Sequence, residues 1–180
     1  NLKEYVGKGS GKDNITISGA SSTITLDKIN TGAGDDTLTV NASGSVTTVD
    51  LGLGKDEITV SGGSIANAKI NLGAGDDKIT LASVAEHGLK GATIDGGDGR
   101  DTLIVSGDIT GSGDFTLKNI EVLQANSSAK VSYAQIKDQT LTLTKDSSGK
   151  LEIVATNKET AIDLTKLNNK ATSGETALTE

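Results

Sequence analysis

One phrase, written five times between residues 9 and 105, governs what this chain can fold into: GSGKDNITI, GAGDDTLTV, GLGKDEITV, GAGDDKITL and GDGRDTLIV. The copies begin at Gly9, Gly32, Gly52, Gly73 and Gly97, in steps of 23, 20, 21 and 24 residues. Self-similarity at a period of about 20 to 25 residues marks a solenoid, in which each repeat is one coil that cannot bury its apolar face alone. After each turn apolar residues alternate: Ile15 and Ile17, Leu38 and Val40, Ile58 and Val60, Ile79 and Leu81, Leu103 and Val105. Period two is the signature of a half-buried strand, so these side chains are predicted to line one interior wall. The other wall is predicted from the residues before each turn: Ile24 and Leu26, Val49 and Leu51, Ile70 and Leu72, and Ile94.

Composition agrees with a body of this kind. Twenty-three glycines, no proline or tryptophan, one phenylalanine and two tyrosines leave little large apolar volume for a spherical core. Thr, Val and Ile suit strands instead. A β-sandwich with glycine-rich loops is the competing architecture, and five copies in register weigh against it.

The phrase reads G-x-G-x-D. Alternate glycines let the backbone turn at positive φ and leave peptide carbonyls free of side-chain cover. Asp13, Asp36, Asp56, Asp77 and Asp101 close the turns at a constant offset. Stacked coils would hold these carboxylates about 4.7 to 4.9 Å apart. Like charges at that distance repel by about 3 to 4 kcal/mol at an effective dielectric of 20. A hard divalent cation taking six to eight oxygens reverses the sign, and calcium suits such a site better than magnesium, which demands a tighter octahedron. Asp35 and Asp76 add acidity beside Asp36 and Asp77.

In these residues the chain resembles the repeats-in-toxin (RTX) family, whose nonapeptide G-G-x-G-x-D-x-U-x (U a large aliphatic) binds calcium in a β-roll. The resemblance implies an all-β, right-handed parallel β-solenoid. It also implies turn carbonyls that point alternately up and down, and a sixth-position aspartate that serves the ions on either side of it. Carried over, the first turn supplies Lys8, Gly9, Ser10, Gly11 and Asp13, and the second Thr31, Gly32, Ala33, Gly34 and Asp36. The third supplies Leu51, Gly52, Leu53, Gly54 and Asp56, and the fourth Leu72, Gly73, Ala74, Gly75 and Asp77. The fifth supplies Gly96, Gly97, Asp98, Gly99 and Asp101. Five turns enclose at most four sites between them.

The chain departs from the family pattern in two ways. The nonapeptide's first glycine survives only at Gly96, and Lys8, Thr31, Leu51 and Leu72 replace it elsewhere. That position is expected to lend only a carbonyl and so to tolerate the change. The spacing also exceeds that of tandem nonapeptides, which predicts calcium turns on one edge and a longer, metal-free connection on the other.

Outside the phrase, residues 1–8 are predicted to form a strand, with Tyr5 and Val6 covering the first coil. Asn30, Asp50, Asn71 and Asp95 precede four turns and are read as a side-chain ladder or turn caps in preference to metal ligands. Residues 83–90 could form a short helical turn carrying His87, the only histidine, as a surface residue. GSGDFTLKN, from Gly111 to Asn119, is read as a degenerate calcium turn. The calcium-binding roll is thus placed at residues 1–105 and metal-free coils with a cap at 106–168, with hairpins or coil edges at KDSSGK and TNKET. A mobile tail is expected over 169–180.

The formal net charge of −7, without a basic run, argues against nucleic acid and anionic membranes as partners. No apolar stretch is long enough to insert in a bilayer as a helix. Without cysteine there is neither a disulfide framework nor a zinc site, which fits export of an unfolded chain. Asn1 is neither a start methionine nor part of a leader, so the chain is expected to be a piece of a longer protein. No nucleotide fingerprint, EF-hand loop or nucleophile–base pair stands out, so no enzyme activity is expected. What the resemblance implies is a structural calcium-binding module of a secreted bacterial cell-surface or surface-layer protein, with calcium and further copies of itself in a lattice as partners. The alternatives are the C-terminal module of a type I-secreted toxin, protease or lipase, and an adhesin stalk.

Overall fold

Strands before and after each turn fall into two separate walls, and each wall is parallel throughout. The computed structural model describes residues 3–7, 9–19, 24–41, 44–82, 84, 86–145, 150–155 and 167–169. The strands that enter the turns are β1 (Glu4–Val6), β3 (Ile24–Asn30), β5 (Gly44–Asp50), β7 (Lys69–Ala74), β9 (Thr93–Asp98) and β11 (Thr116–Lys118). They pair in that order as one six-stranded sheet. Those that leave the turns are β2 (Asn14–Ile17), β4 (Thr37–Asn41), β6 (Glu57–Ser61), β8 (Lys78–Ala82), β10 (Thr102–Asp108) and β12 (Val122–Ser132). They pair in order as the second sheet, which β13 (Leu141–Lys145) and β15 (Leu167–Asn169) extend. The chain is a parallel β-solenoid.

The core lies between the walls. Leu38, Val40, Ile58, Val60, Ile79, Leu81, Leu103 and Val105 are fully buried, and register places Leu38, Ile58, Ile79 and Leu103 in one stacked row. The opposite wall departs from the alternation predicted for it. Ile24 is 47% exposed, whereas Ile29 is fully buried. Asp27 and Lys28 in β3, like Thr47 and Thr48 in β5, face outward in succession. This break in the pleat turns inward residues three apart, Leu26 with Ile29 and Val46 with Val49.

The two edges differ, though the far edge is not in every coil the longer one that the spacing predicts. Counted between positions in register, the turn edge keeps one length from the second coil to the fifth, at 31–36, 51–56, 72–77 and 96–101, while the far edge runs from two residues between Asn41 and Gly44 to ten between Ala82 and Thr93. There Glu86–Gly91 forms turns, not a helix, and Leu89 is fully buried while His87 stays exposed. Gly111, Ser112 and Asp114 accept backbone hydrogen bonds from His87, Leu89 and Gly91 at 3.1, 2.8 and 2.9 Å. GSGD at 111–114 therefore lies on the far edge, opposite the G-x-G-x-D turns among which the sequence reading placed it. The strand that follows it, β11, pairs with β9 on the entering wall, which fixes the side on which 111–114 must lie.

Beyond β12 the coils continue. The strand β14 (Lys150–Val154) pairs in parallel with the second half of β12, and β13 with its first half. KDSSGK therefore links two stretches of the same direction that pair end to end along β12, and is neither the hairpin nor the coil edge expected of it. The short helix α1 (Tyr133–Ile136) is held by a capping box of Ser132 and Gln135, and the buried Gln135 amide also donates to the Ile109 and Gly113 carbonyls at 3.0 and 3.1 Å. TNKET and the 170–180 tail lie outside the described residues.

If the stacked row is what holds the walls together, Ile58→Ala costs about 2 to 5 kcal/mol by loss of transfer energy and an unfilled cavity. The exposed Ile24→Ala changes stability by less than about 0.5 kcal/mol. Denaturant midpoints of the two variants at fixed calcium check the contrast.

Candidate metal centre

Each turn hands a carboxylate back to the coil before it. The Asp13 N–H donates to Asp36 Oδ1, Asp36 N–H to Asp56 Oδ1 and Asp56 N–H to Asp77 Oδ1, each at 2.7 Å. Asp77 N–H donates to Asp101 Oδ1 at 2.8 Å, and Asp101 N–H to Glu121 Oε2 at 2.8 Å. Asp36, Asp56, Asp77 and Asp101 are at most 2% exposed. Their Oδ2 atoms are buried and have no hydrogen-bond partner among the described residues. Burial pushes the Asp56 and Asp101 carboxyls up to about 6 and raises that of Asp77; the backbone N–H opposes the shift and neighbouring carboxylates add to it.

The turn carbonyls alternate in direction. Number the turn residues one to six, with Thr31, Leu51, Leu72 and Gly96 first. First-position carbonyls point to the preceding coil: Leu51 O accepts from Thr31 Oγ1 at 2.8 Å. Second-position carbonyls point to the next: Gly32 O accepts from Leu53 N–H at 3.0 Å and Gly52 O from Ala74 N–H at 2.8 Å. Third-position carbonyls point back again, Leu53, Ala74 and Asp98 accepting from Gly34, Gly54 and Gly75 at 2.8, 3.0 and 2.8 Å. At the fourth, the Gly34, Gly54 and Gly75 carbonyls face Gly54, Gly75 and Gly99 of the following coil. This up-and-down pattern requires glycine: at Gly73, where φ is +113°, a Cβ would run into the Gly52 carbonyl.

The structure gathers the sixth-position aspartates into one column and the backbone of positions one to four beside it. At the first position Leu51 and Leu72 turn inward as the apolar pattern predicts, and Thr31, at 2% exposure, joins them. One expectation changes. In the first coil it is Gly7 that stands level with Thr31, because Val6 pairs with Asn30 and the Gly7 N–H donates to the Asn30 carbonyl at 2.7 Å. Lys8 lies outside the described residues. Asn71 Nδ2 donates to Asp50 Oδ1 at 3.1 Å and Asn119 Nδ2 to Asp95 Oδ1 at 2.7 Å, so the Asn/Asp positions form cross-coil ladder pairs.

Two features escaped the reading of the sequence. Glu121 continues the carboxylate column where the phrase has ended. The fifth turn position alternates in charge, Lys12, Asp35, Lys55, Asp76, Arg100. Asp35 Oδ1 accepts from the Lys55 N–H at 2.9 Å, Asp76 Oδ1 from the Arg100 N–H at 3.2 Å, and Lys55 Nζ lies 3.7 Å from Asp76. The signal was present in the alternation of GAGDD with GxG[KR]D.

Every donor on this edge is oxygen, and the unpartnered Oδ2 atoms are anionic oxygens without a counter-charge when ionised. Carbonyls already in the ladder keep a second lone pair. No cluster of three or more His, Cys, Asp or Glu side chains is arranged for a metal among the described residues, so any cation here must draw on backbone carbonyls. The donor set fits a hard, oxygen-seeking cation and not zinc or copper. No protein-family model, curated protein or solved structure matches the chain.

Without metal, the raised carboxyls make the fold acid-favoured. Folded Asp56 and Asp101 hold their protons to about pH 6, whereas unfolded carboxyls release them near the ordinary aspartate value of 3.8. The stabilisation is complete below the unfolded value and lost as pH rises through the folded one. In chelator, the thermal midpoint should fall between pH 4 and pH 6.5, and Asp56→Asn with Asp101→Asn should flatten that fall. Asp108, lowered chiefly by its bonds to Thr110, acts in the opposite sense below this window.

Proposed function

We propose that the chain is a structural calcium-binding module of a secreted bacterial cell-surface protein, of the surface-layer kind, and that calcium switches its turn edge from open to folded. One observation carries this reading: four consecutive coils each bury a carboxylate oxygen without a partner among the described residues. At neutral pH Asp56 and Asp101 stand above their raised values of about 6, so these two must ionise in place or the turn edge must open. A divalent cation supplies the missing charge. The residues to hold it are Asp36, Asp56, Asp77 and Asp101 with the turn carbonyls around them, and Asp13 at the first turn. Bound there, calcium cancels carboxylate repulsion and ties neighbouring coils through a shared ion.

The energetics suit a switch. Calcium at ten times its dissociation constant stabilises by about 1.4 kcal/mol per site, so four independent sites contribute about 5 to 6 kcal/mol. Extracellular modules use weak sites of about 10⁻⁴ to 10⁻³ M, which stay empty at cytosolic calcium and fill outside the cell. The resemblance of the five phrases to RTX repeats supports the same reading. Richness in Thr, Ser and Ala, with sparse repeats and no cysteine, favours a surface-layer parent over a toxin or lipase.

Calcium titrated into chelator-stripped protein should give a cooperative rise of β-structure in far-ultraviolet circular dichroism, and magnesium should not. Asp56→Asn should move the midpoint to higher calcium. Full β-structure in chelator at pH 7.5, with no heat of calcium binding, overturns the proposal.

A further inference from the structure

Resting on the calcium reading, we infer that a further cation site lies one coil beyond the last copy of the phrase, built by Asp101, the Asn119 carbonyl and Glu121. Nothing in the repeat marks it. Lys118 pairs with Asp95 and Val122 with Thr102, so Asn119, Ile120 and Glu121 alone span what Gly96 to Asp101 span in the preceding coil. The shortened turn leaves no room for the glycine phrase. The longer glutamate recovers the lost reach, and its Oε2 lies 2.8 Å from Asp101 N, matching the 2.8 Å from Asp101 Oδ1 to Asp77 N.

The site is built from a buried, unpartnered oxygen and not from acidity alone. Asp101 is fully buried, and its Oδ2 has no partner among the described residues. That oxygen lies over Gly96: a Cβ there would come within 2.5 Å of it and would also collide with the Asn119 carbonyl oxygen. Carboxylate and carbonyl thus converge on a place that only glycine leaves open. Thr31, Leu51 and Leu72 fill the equivalent place in the middle coils. At the opposite end of the array Gly7 leaves the same opening, between Asp13 Oδ2 and the Thr31 carbonyl.

The Asn119 carbonyl is held in position. Its residue sits at φ 49°, its side chain is bonded to Asp95, and the adjoining Ile120 is buried. Two carboxylates and a carbonyl, completed by water, suit a hard divalent cation of calcium's size.

Calcium counting by titration calorimetry and equilibrium dialysis separates this site from a mere hydrogen-bond cap. Glu121→Gln keeps an acceptor for the Asp101 N–H and removes the charge. Glu121→Ala removes charge and acceptor together and leaves Gly96 and Asp101, which serve the preceding turn, untouched. Each variant is measured at calcium concentrations where circular dichroism shows it folded. One calcium fewer than the parent in a folded variant, with the remaining sites unchanged, is the expected result. A full count at parental affinity in both variants overturns the inference while leaving the calcium reading intact. A parent chain that binds no calcium overturns both.

Discussion

The rest of the structure depends on a column of buried carboxylates, each accepting a backbone N–H from the coil before it. Ladder hydrogen bonds and stacked aliphatic side chains would hold parallel coils of almost any sequence together. They do not require an anionic group inside. Placing Asp36, Asp56, Asp77 and Asp101 at the inner side of the turns, with one oxygen of each unpartnered among the described residues, sets a condition, because an ionised oxygen buried without a partner is costly. A proton on the carboxyl or a hard cation beside it would meet that condition. The side-chain-poor turn follows from that condition: carbonyls can approach the column only where no Cβ intervenes.

The exposed polar groups around the column show how the neighbouring coils avoid adding to its charge. At the fifth position Lys12, Asp35, Lys55, Asp76 and Arg100 alternate, and before the first Asn30, Asp50, Asn71 and Asp95 alternate out of phase with them. A coil with Asp before the turn has Lys or Arg inside it, and a coil with Asn before the turn has a second Asp. The chemical repeat is therefore two coils, and each cross-coil neighbour is of opposite charge or a hydrogen-bonding amide. Slippage by one coil would set Asp beside Asp, so alternation favours the observed register. These exposed pairs contribute little each, and their role is selection among stackings.

Much of this was legible in the sequence because a solenoid writes its architecture locally. The period gave the coils, and alternation gave the leaving wall, from Leu38 and Val40 to Leu103 and Val105, without error. The entering wall was harder to read: Ile24 fits a period of two, but the break at Asp27 and Lys28 hands its place in the core to Ile29. Composition also misplaced GSGD at 111–114, since a glycine-rich turn looks the same on either edge and only strand pairing assigns the side. Glu121 stayed hidden for the opposite reason. Its turn has lost the glycines that make the other turns recognisable, and its function in the column comes from side-chain length and register, neither of which a motif records.

The column also has a direction. Every carboxylate reaches back, so each sixth-position N–H is satisfied by the coil that follows it in the chain. Removing coils from the C-terminal side strips an acceptor from a buried N–H, as the loss of Glu121 would from Asp101. Removing them from the N-terminal side instead frees a carboxylate at the outer face of the stack. The half-buried Asp13 occupies that position here, where a hydrogen bond from Tyr5 meets it. A carboxylate at an open face can be hydrated, whereas an amide facing a buried gap cannot, so the two ends of the array are unequal.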